Sequence, residues 1–365
     1  MNVNPASALL LRGSVLGIIL HDVCEEIHLD DLRRILDAKR TAPVFKHATP
    51  QYLRFENPPV VETLDPIELS NGERVQPQVK YYDYGVVSVL IERPFEGDWQ
   101  SLVGLAASWV PSAELERVAE DIVRRRVLKI ESAMVRPYEN WLSEDYYVFM
   151  VNDVDGRPAG EALLRERGPQ IAQIVCGEAT ELARAEQDDV LQASLSYYPR
   201  DVIVIGWNAA LIYDTHSGAA SSVEILEYVN SQLLEFRHYD ELLTRELDGV
   251  YKSLKARANF WRRWQMRREA TRLNTVALEV TDLVERCDTA IKFVSDMFAA
   301  RLYRLAVGKV GVPEYQNLVN EKLKMTEGVY RFYIDEFHQS SGFVLEVMVV
   351  VILIIDLIFL FRGKG

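Results

Sequence analysis

The stretch FVLEVMVVVILIIDLIFLF, Phe343 to Phe361, is apolar at every position but Glu346 and Asp356. At helical rise it spans about 28 Å, close to the roughly 30 Å hydrocarbon core of a bilayer. Arg362 and Lys364 follow it, and no comparable run occurs upstream. This pattern predicts one C-terminal transmembrane helix that ties a large water-exposed body to a membrane. A carboxylate in hydrocarbon costs roughly 2.5 to 3.5 kcal/mol on insertion scales, which the other apolar residues offset. Of the two intramembrane polar residues, Glu346 is expected to snorkel to the interface. Asp356 is expected to be protonated or packed against a partner helix.

A chain of 365 residues with 48% hydrophobic content has the material for about two domains and a real core. Its net charge of -13 argues against general nucleic-acid binding, yet residues 252 to 272 carry +7 and the remainder -20. Cys24, Cys176 and Cys287 are odd in number and far apart, with no CxxC, which suits unlinked thiols in a reducing compartment. The apolar stretch Ala8 to Leu20 is interrupted by Arg12, and no basic residue precedes it, so it does not read as a signal peptide. The body is therefore expected in the cytoplasm, at a bacterial inner membrane or its organellar equivalent.

Working back from the span, residues 313 to 342 read as a juxtamembrane helix, set off by Gly308, Gly311 and Pro313. From 221 to 307 apolar residues recur in sevens. Val229, Phe236, Leu243 and Val250 form one row, and Leu226, Leu233, Leu247 and Leu254 another, with Asp240 as its polar break. Leu273, Val280, Cys287 and Val294 run beside Ala277, Val284, Ile291, Phe298 and Leu305. Such rows predict a coiled-coil hairpin or an oligomeric stalk, opened by the capping-box spacing of Ser221 and Glu224.

Residues 1 to 215 mix short strands and helices, an α+β (mixed α/β) soluble body that divides into lobes at 1–135 and 140–215. Strands are expected at Val15 to Val23, around Tyr52 to Phe55, at Val79 to Ile91 as a strand or hairpin with Asp83 and Gly85 as candidate turn or bulge residues, at Tyr146 to Val151, Val190 to Tyr198 and Val202 to Tyr213. Helices are expected from His28 to Leu36, Trp99 to Trp109, Ser112 to Ile130 with Ser112 as N-cap, and Pro169 to Ala185.

No phosphate loop, dinucleotide fold, zinc-protease motif or nucleophile elbow is present, so no catalytic residue, metal ligand or cofactor is assigned. His21, Asp22 and Cys24 are close along one strand, but alternation sends His21 and Asp22 to opposite faces. The site candidate is instead the basic segment, where Trp261, Arg262, Arg263, Trp264, Arg267 and Arg268 interleave aromatics with guanidinium groups. That mixture fits anionic headgroups with an interfacial tryptophan, or an RNA backbone with stacking. A solvated helix face with two core tryptophans is the plainer alternative.

Three features carry a likeness to a known family: Tyr82, Asp83, Tyr84, Gly85, Val86, Val87, Ser88 and Val89 as an aromatic-Gly-Val-Val strand; His28, Leu29, Asp30, Asp31 and Leu32 after the opening strand; and Leu345, Glu346 and Asp356 in the terminal segment. On these the chain resembles the membrane proteins named for being required for meiotic nuclear division, a domain of unknown function, and looks most like a bacterial relative. Val347 stands where that family usually has Trp. The resemblance implies a membrane protein without catalysis, with support of translation as a role of its mitochondrial member. The combined expectation is a membrane-anchored, cytoplasm-facing, non-enzymatic scaffold or adaptor that binds an unknown protein partner and oligomerises through its stalk. The alternative is an RNA or ribosome tether acting through residues 252 to 272.

Overall fold

The computed structural model describes residues 10–36, 58–255, 271–272, 274–278, 280–281 and 297–362. It divides into two compact units. One comprises Met1–His238 with Cys287–Tyr315, the other Tyr239–Arg286 with Gln316–Gly365.

The first unit is built on one nine-stranded sheet. In chain order its strands are β1 (Leu11–Ile27), β2 (Val60–Thr63), β3 (Ile67–Glu68), β4 (Arg74–Tyr81), β5 (Val86–Gly97), β6 (Met134–Val154), β7 (Ser194–Leu195), β8 (Val202–Ile205) and β9 (Ala209–Tyr213). They lie in the order β2-β4-β5-β1-β6-β9-β8-β7, with β3 also on β4. Every pairing is antiparallel except β6 with β9, so the sheet is mixed. The central strand β1 is buried along most of its length, and β6 from Tyr146 to Val151, as strand segments covered on both faces are. Because β6 crosses residues 135 to 140, the sheet is continuous through the point where two lobes were expected to meet.

One face of the sheet carries Val15, Ile19 and Val23 of β1 in a core shared with α2 (Trp99–Trp109), α3 (Ala113–Ile130) and α4 (Gly160–Cys176). Helix α1 (Leu29–Ile35) adds Leu29 and Leu32 to it. The caps follow the sequence here: Asp98 accepts from the Ser101 amide at 2.8 Å, and Ser112 from the Leu115 amide at 3.4 Å. On the other face Leu16, Ile18 and Leu20 are buried, and so are Val223, Leu226, Val229 and Leu233 of α6 (His216–Lys255).

Several expectations along the body change in detail. Pro169 does not open a helix but sits inside α4, which starts nine residues earlier at Gly160. Helix α5 (Arg184–Gln192) then takes the first part of the stretch read as strand 190–198, leaving only β7. The run 202–213 is a hairpin, closed by the Gly206 amide on the Ala209 carbonyl at 2.8 Å. Helix α6 begins before Ser221, with the Thr215 hydroxyl accepting from the Gly218 amide at 3.3 Å. The strand expected around Tyr52 to Phe55 lies outside the described residues.

The second unit contains the distal part of α6, helical residues around 271 to 281, and most of α8 (Val312–Arg362); α7 (Met297–Val310) belongs to the sheet unit. Division between the units therefore falls inside α6, after His238, rather than at the start of the helix. Leu243, Leu247, Val276, Val280 and Val319 are buried. Lys322 donates to Asp240 and to the Thr244 hydroxyl, so the polar break in the heptad row is occupied by an ion pair.

The membrane expectation is corrected. Among the described residues no helix is long and apolar enough to cross a membrane. Helix α8, Val312–Arg362, has 51 residues. The transmembrane helix at 343–361 falls, and with it the single-pass location. The side chains of Glu346 and Asp356 lie outside the described residues.

Gly85, in the turn between β4 and β5, has φ +92°, and a Cβ there would stand 1.7 Å from the Cys24 carbonyl oxygen. Gly72 also has a positive φ, +81°, yet its nearest neighbour would be 4.0 Å away. Gly72→Ala is expected to cost about 1 kcal/mol from backbone strain alone. Gly85→Ala adds a backbone collision, so a loss of about 3 kcal/mol or more is expected. Urea denaturation of the two variants checks this, and equal midpoints would contradict the collision.

Candidate functional site: a buried polar seam between the long helix and the sheet

Strand register sets out the floor of the seam. Lys80 of β4 pairs with Ser88 of β5, Ser88 with Leu20 of β1, and Leu20 with Glu144 of β6, so these four residues form a row across four strands on one face. Three strand spacings separate Lys80 from Glu144, about 14 Å. Along α6, Glu227 and Arg237 are ten residues apart, about 15 Å of rise. The match lets one helix lay an acid over the lysine and an arginine over the glutamate: Lys80 pairs with Glu227, and Arg237 with Glu144. Helix α6 therefore crosses the strands instead of running along them.

Between these ion pairs the contacts stay polar. Tyr84 and Ser231 share a 2.7 Å hydroxyl hydrogen bond, and Tyr303 of α7 donates to the Gln232 side chain at 2.6 Å. Asp22, on the next row of β1, is 1% exposed and lies 2.7 Å from Nδ1 of His238. The register shift between β1 and β6 at Asp22/Cys24 leaves Tyr138 to Trp141 as extra residues on β6. This bulge turns the Tyr138 ring onto His238, stacked at 4.6 Å, while Trp141 meets His21 on the opposite face at 6.3 Å. Glu235, 3% exposed, completes the cluster, and its Oε1 has no hydrogen-bond partner.

Burial governs the protonation of these groups. It raises Glu235 well above the ordinary carboxyl range, and the like charge of Asp22 raises it further. Asp22 is also raised by burial, with His238 pulling the other way. The Cys24 thiol is pushed up to about 12 by burial and then by Asp22, which removes it as a nucleophile at neutral pH. On the other face, burial lowers His21 to about 4, so it is neutral. His21 and Asp22 thus share no site. Among the described residues no group of three or more His, Cys, Asp or Glu could hold a metal ion.

Trp261, Arg262, Arg263, Trp264, Arg267 and Arg268 lie outside the described residues. At the edge of that basic segment, Arg272 pairs with Glu246 at 2.6 Å. The seam residues Lys80, Glu227, Glu235, Arg237 and His238 were not singled out in the sequence. Their signal was a second periodicity on α6: Glu224, Glu227, Ser231, Glu235 and His238 recur at three- and four-residue spacing beside the apolar rows.

Removing one partner of a buried pair strands the other charge, at about 3–5 kcal/mol. Lys80→Ala is therefore expected to destabilise by that amount, whereas Lys80→Met combined with Glu227→Leu is expected to regain most of it. Urea denaturation of single and double variants checks the coupling, and purely additive losses would contradict it.

The family described as the N-terminal domain of uncharacterized protein MJ0711 matches residues 12–220, the sheet and the opening of α6. Uncharacterized protein MJ0711 of Methanocaldococcus jannaschii is 18% identical over 198 residues, 54% of this chain and 61% of that protein. The match thus spans less than two thirds of the relative's length. No solved structure matches. These findings correct the resemblance to the meiotic-nuclear-division proteins. Of the residues that carried it, Tyr82 to Val89 form a turn and strand in which Gly85 meets the β1 backbone, a local requirement that unrelated sheets can share. With more than half of its length matched, the chain belongs to the family of the MJ0711 N-terminal domain.

Proposed function

We propose that the protein is a non-enzymatic scaffold whose sheet unit binds a protein partner and whose helical unit joins copies of the chain. The observation that carries this reading is on α8. Val319 and Thr326, one heptad apart, are buried, whereas Leu318 and Met325, also one heptad apart, are 43% and 51% exposed. The helix thus has one buried row and an adjacent apolar row open at the spacing that helix pairing uses. Tyr251 and Leu278 of the same unit are exposed as well, and Val349 to Ile354 are 47–62% exposed. A second copy of the same helix offers a matching row, and closed symmetry makes such self-complementary contacts common.

Light scattering on the size-separated full chain, with and without mild detergent, tests the reading. A defined oligomer is expected, and Leu318→Asp with Met325→Asp is expected to reduce it to monomer with unchanged helicity. A monomeric wild type, or a double variant of unchanged size, would refute self-association. Ribosomal RNA in the purified material would instead favour a tether acting through residues 252 to 272.

A further inference from the structure

The seam buries more acid than base. Lys80 is committed to Glu227 and Arg237 to Glu144, and neither cation is left for Glu235. Among the described residues, the titratable groups within electrostatic reach of Glu235 are Asp22 and Cys24 from β1 and Tyr84 from the turn between β4 and β5. Asp22 in turn holds His238, over which β6 lays the Tyr138 ring. An isolated carboxylate in such a place costs several kcal/mol, and a group that cannot find a cation takes up a proton instead.

We propose that Glu235 is carried as a neutral acid beside the Asp22–His238 pair, and that loss of its proton loosens the part of α6 that lies on the sheet. The charge of Asp22 opposes ionisation of Glu235 in the same buried site. The direction is fixed by linkage. Burial and Asp22 raise the folded-state pKa of Glu235 above its unfolded value near 4.3, so the folded state binds the proton more tightly. Stability from this group is complete at low pH and is lost as pH rises through the folded pKa. That is opposite to the usual behaviour of an ion-paired carboxylate. The seam is thereby a proton-sensitive fastening, and its sensitive group stands four residues before the division between the two units, at Tyr239.

Glu235→Gln keeps the shape of the neutral acid and cannot ionise. Melting temperatures of the full-length wild type and variant, from pH 5 to pH 8.5, are expected to agree at the acid end and to diverge as pH rises. The variant is expected to become more stable by about 2–4 °C for each tenfold difference in proton affinity. Hydrogen exchange of amides 228–238, corrected for intrinsic rate, is expected to speed up at least about tenfold in the wild type over the same range and to stay flat in the variant. A variant destabilised equally at every pH overturns the proposal. If the variant does not fold, the side-chain carboxyl carbon of Glu235 is followed by NMR in the wild type. A midpoint above pH 6 supports the neutral acid, and a lower one overturns it.

Discussion

The sheet unit depends on a geometric agreement between two periodicities. Three strand spacings, about 14 Å, separate Lys80 from Glu144, and ten helical residues, about 15 Å, separate Glu227 from Arg237. Only a helix crossing the strands can satisfy both pairs at once. Holding Lys80 and Glu227 in the interior unpaired would be costly, and the partly buried Arg237 and Glu144 add to that. The pairs therefore define where α6 sits, and the apolar rows beside them fill the remaining space.

Other features of the unit follow from that placement. The bulge in β6 supplies the aromatic lid over His238, and the close approach of Gly85 to Cys24 draws Tyr84 to within reach of Ser231. Both devices act at one end of the sheet, where β1, the β4–β5 turn and β6 converge below α6. The opposite face has its own polar contact, where Glu62 pairs with Arg126 of α3 and accepts from the Tyr81 hydroxyl. It is closed by Trp99, Leu102, Leu115, Ile122 and Ile171, and its histidine, His21, is held neutral. One face is thus mainly apolar, and the other trades more apolar contact for charge-specific alignment.

In the helical unit the balance is different. Leu243 and Leu247 are buried, with the pair of Asp240 and Lys322 set into the same interior. A polar position inside an apolar row favours one alignment of neighbouring helices over the slipped alternatives, because a shift would bury both charges unpaired. The row at Leu318 and Met325 is open, outside that interior.

Much of the local structure was legible in the sequence. The cap at Ser112, the turn at Gly85 and the opposite facing of His21 and Asp22 are decided by residues within a few places of one another. The ends of α4 and the brevity of β7 were not, since Pro169 and the 190–198 run carry two local meanings that packing chose between. A hydrophobic run such as 343–361 fixes helix and apolarity, not what surrounds it, and the likeness built on Tyr82 to Val89 mistook a turn requirement for ancestry. The seam lay furthest from reach. Lys80 and Glu227 are 147 residues apart, and only the register of four strands brings one over the other. Sequence determined which elements form and which faces are apolar, because those depend on near neighbours. Tertiary structure decided which charges meet and which carboxyl is left without a cation, because that depends on where distant strands and one long helix cross.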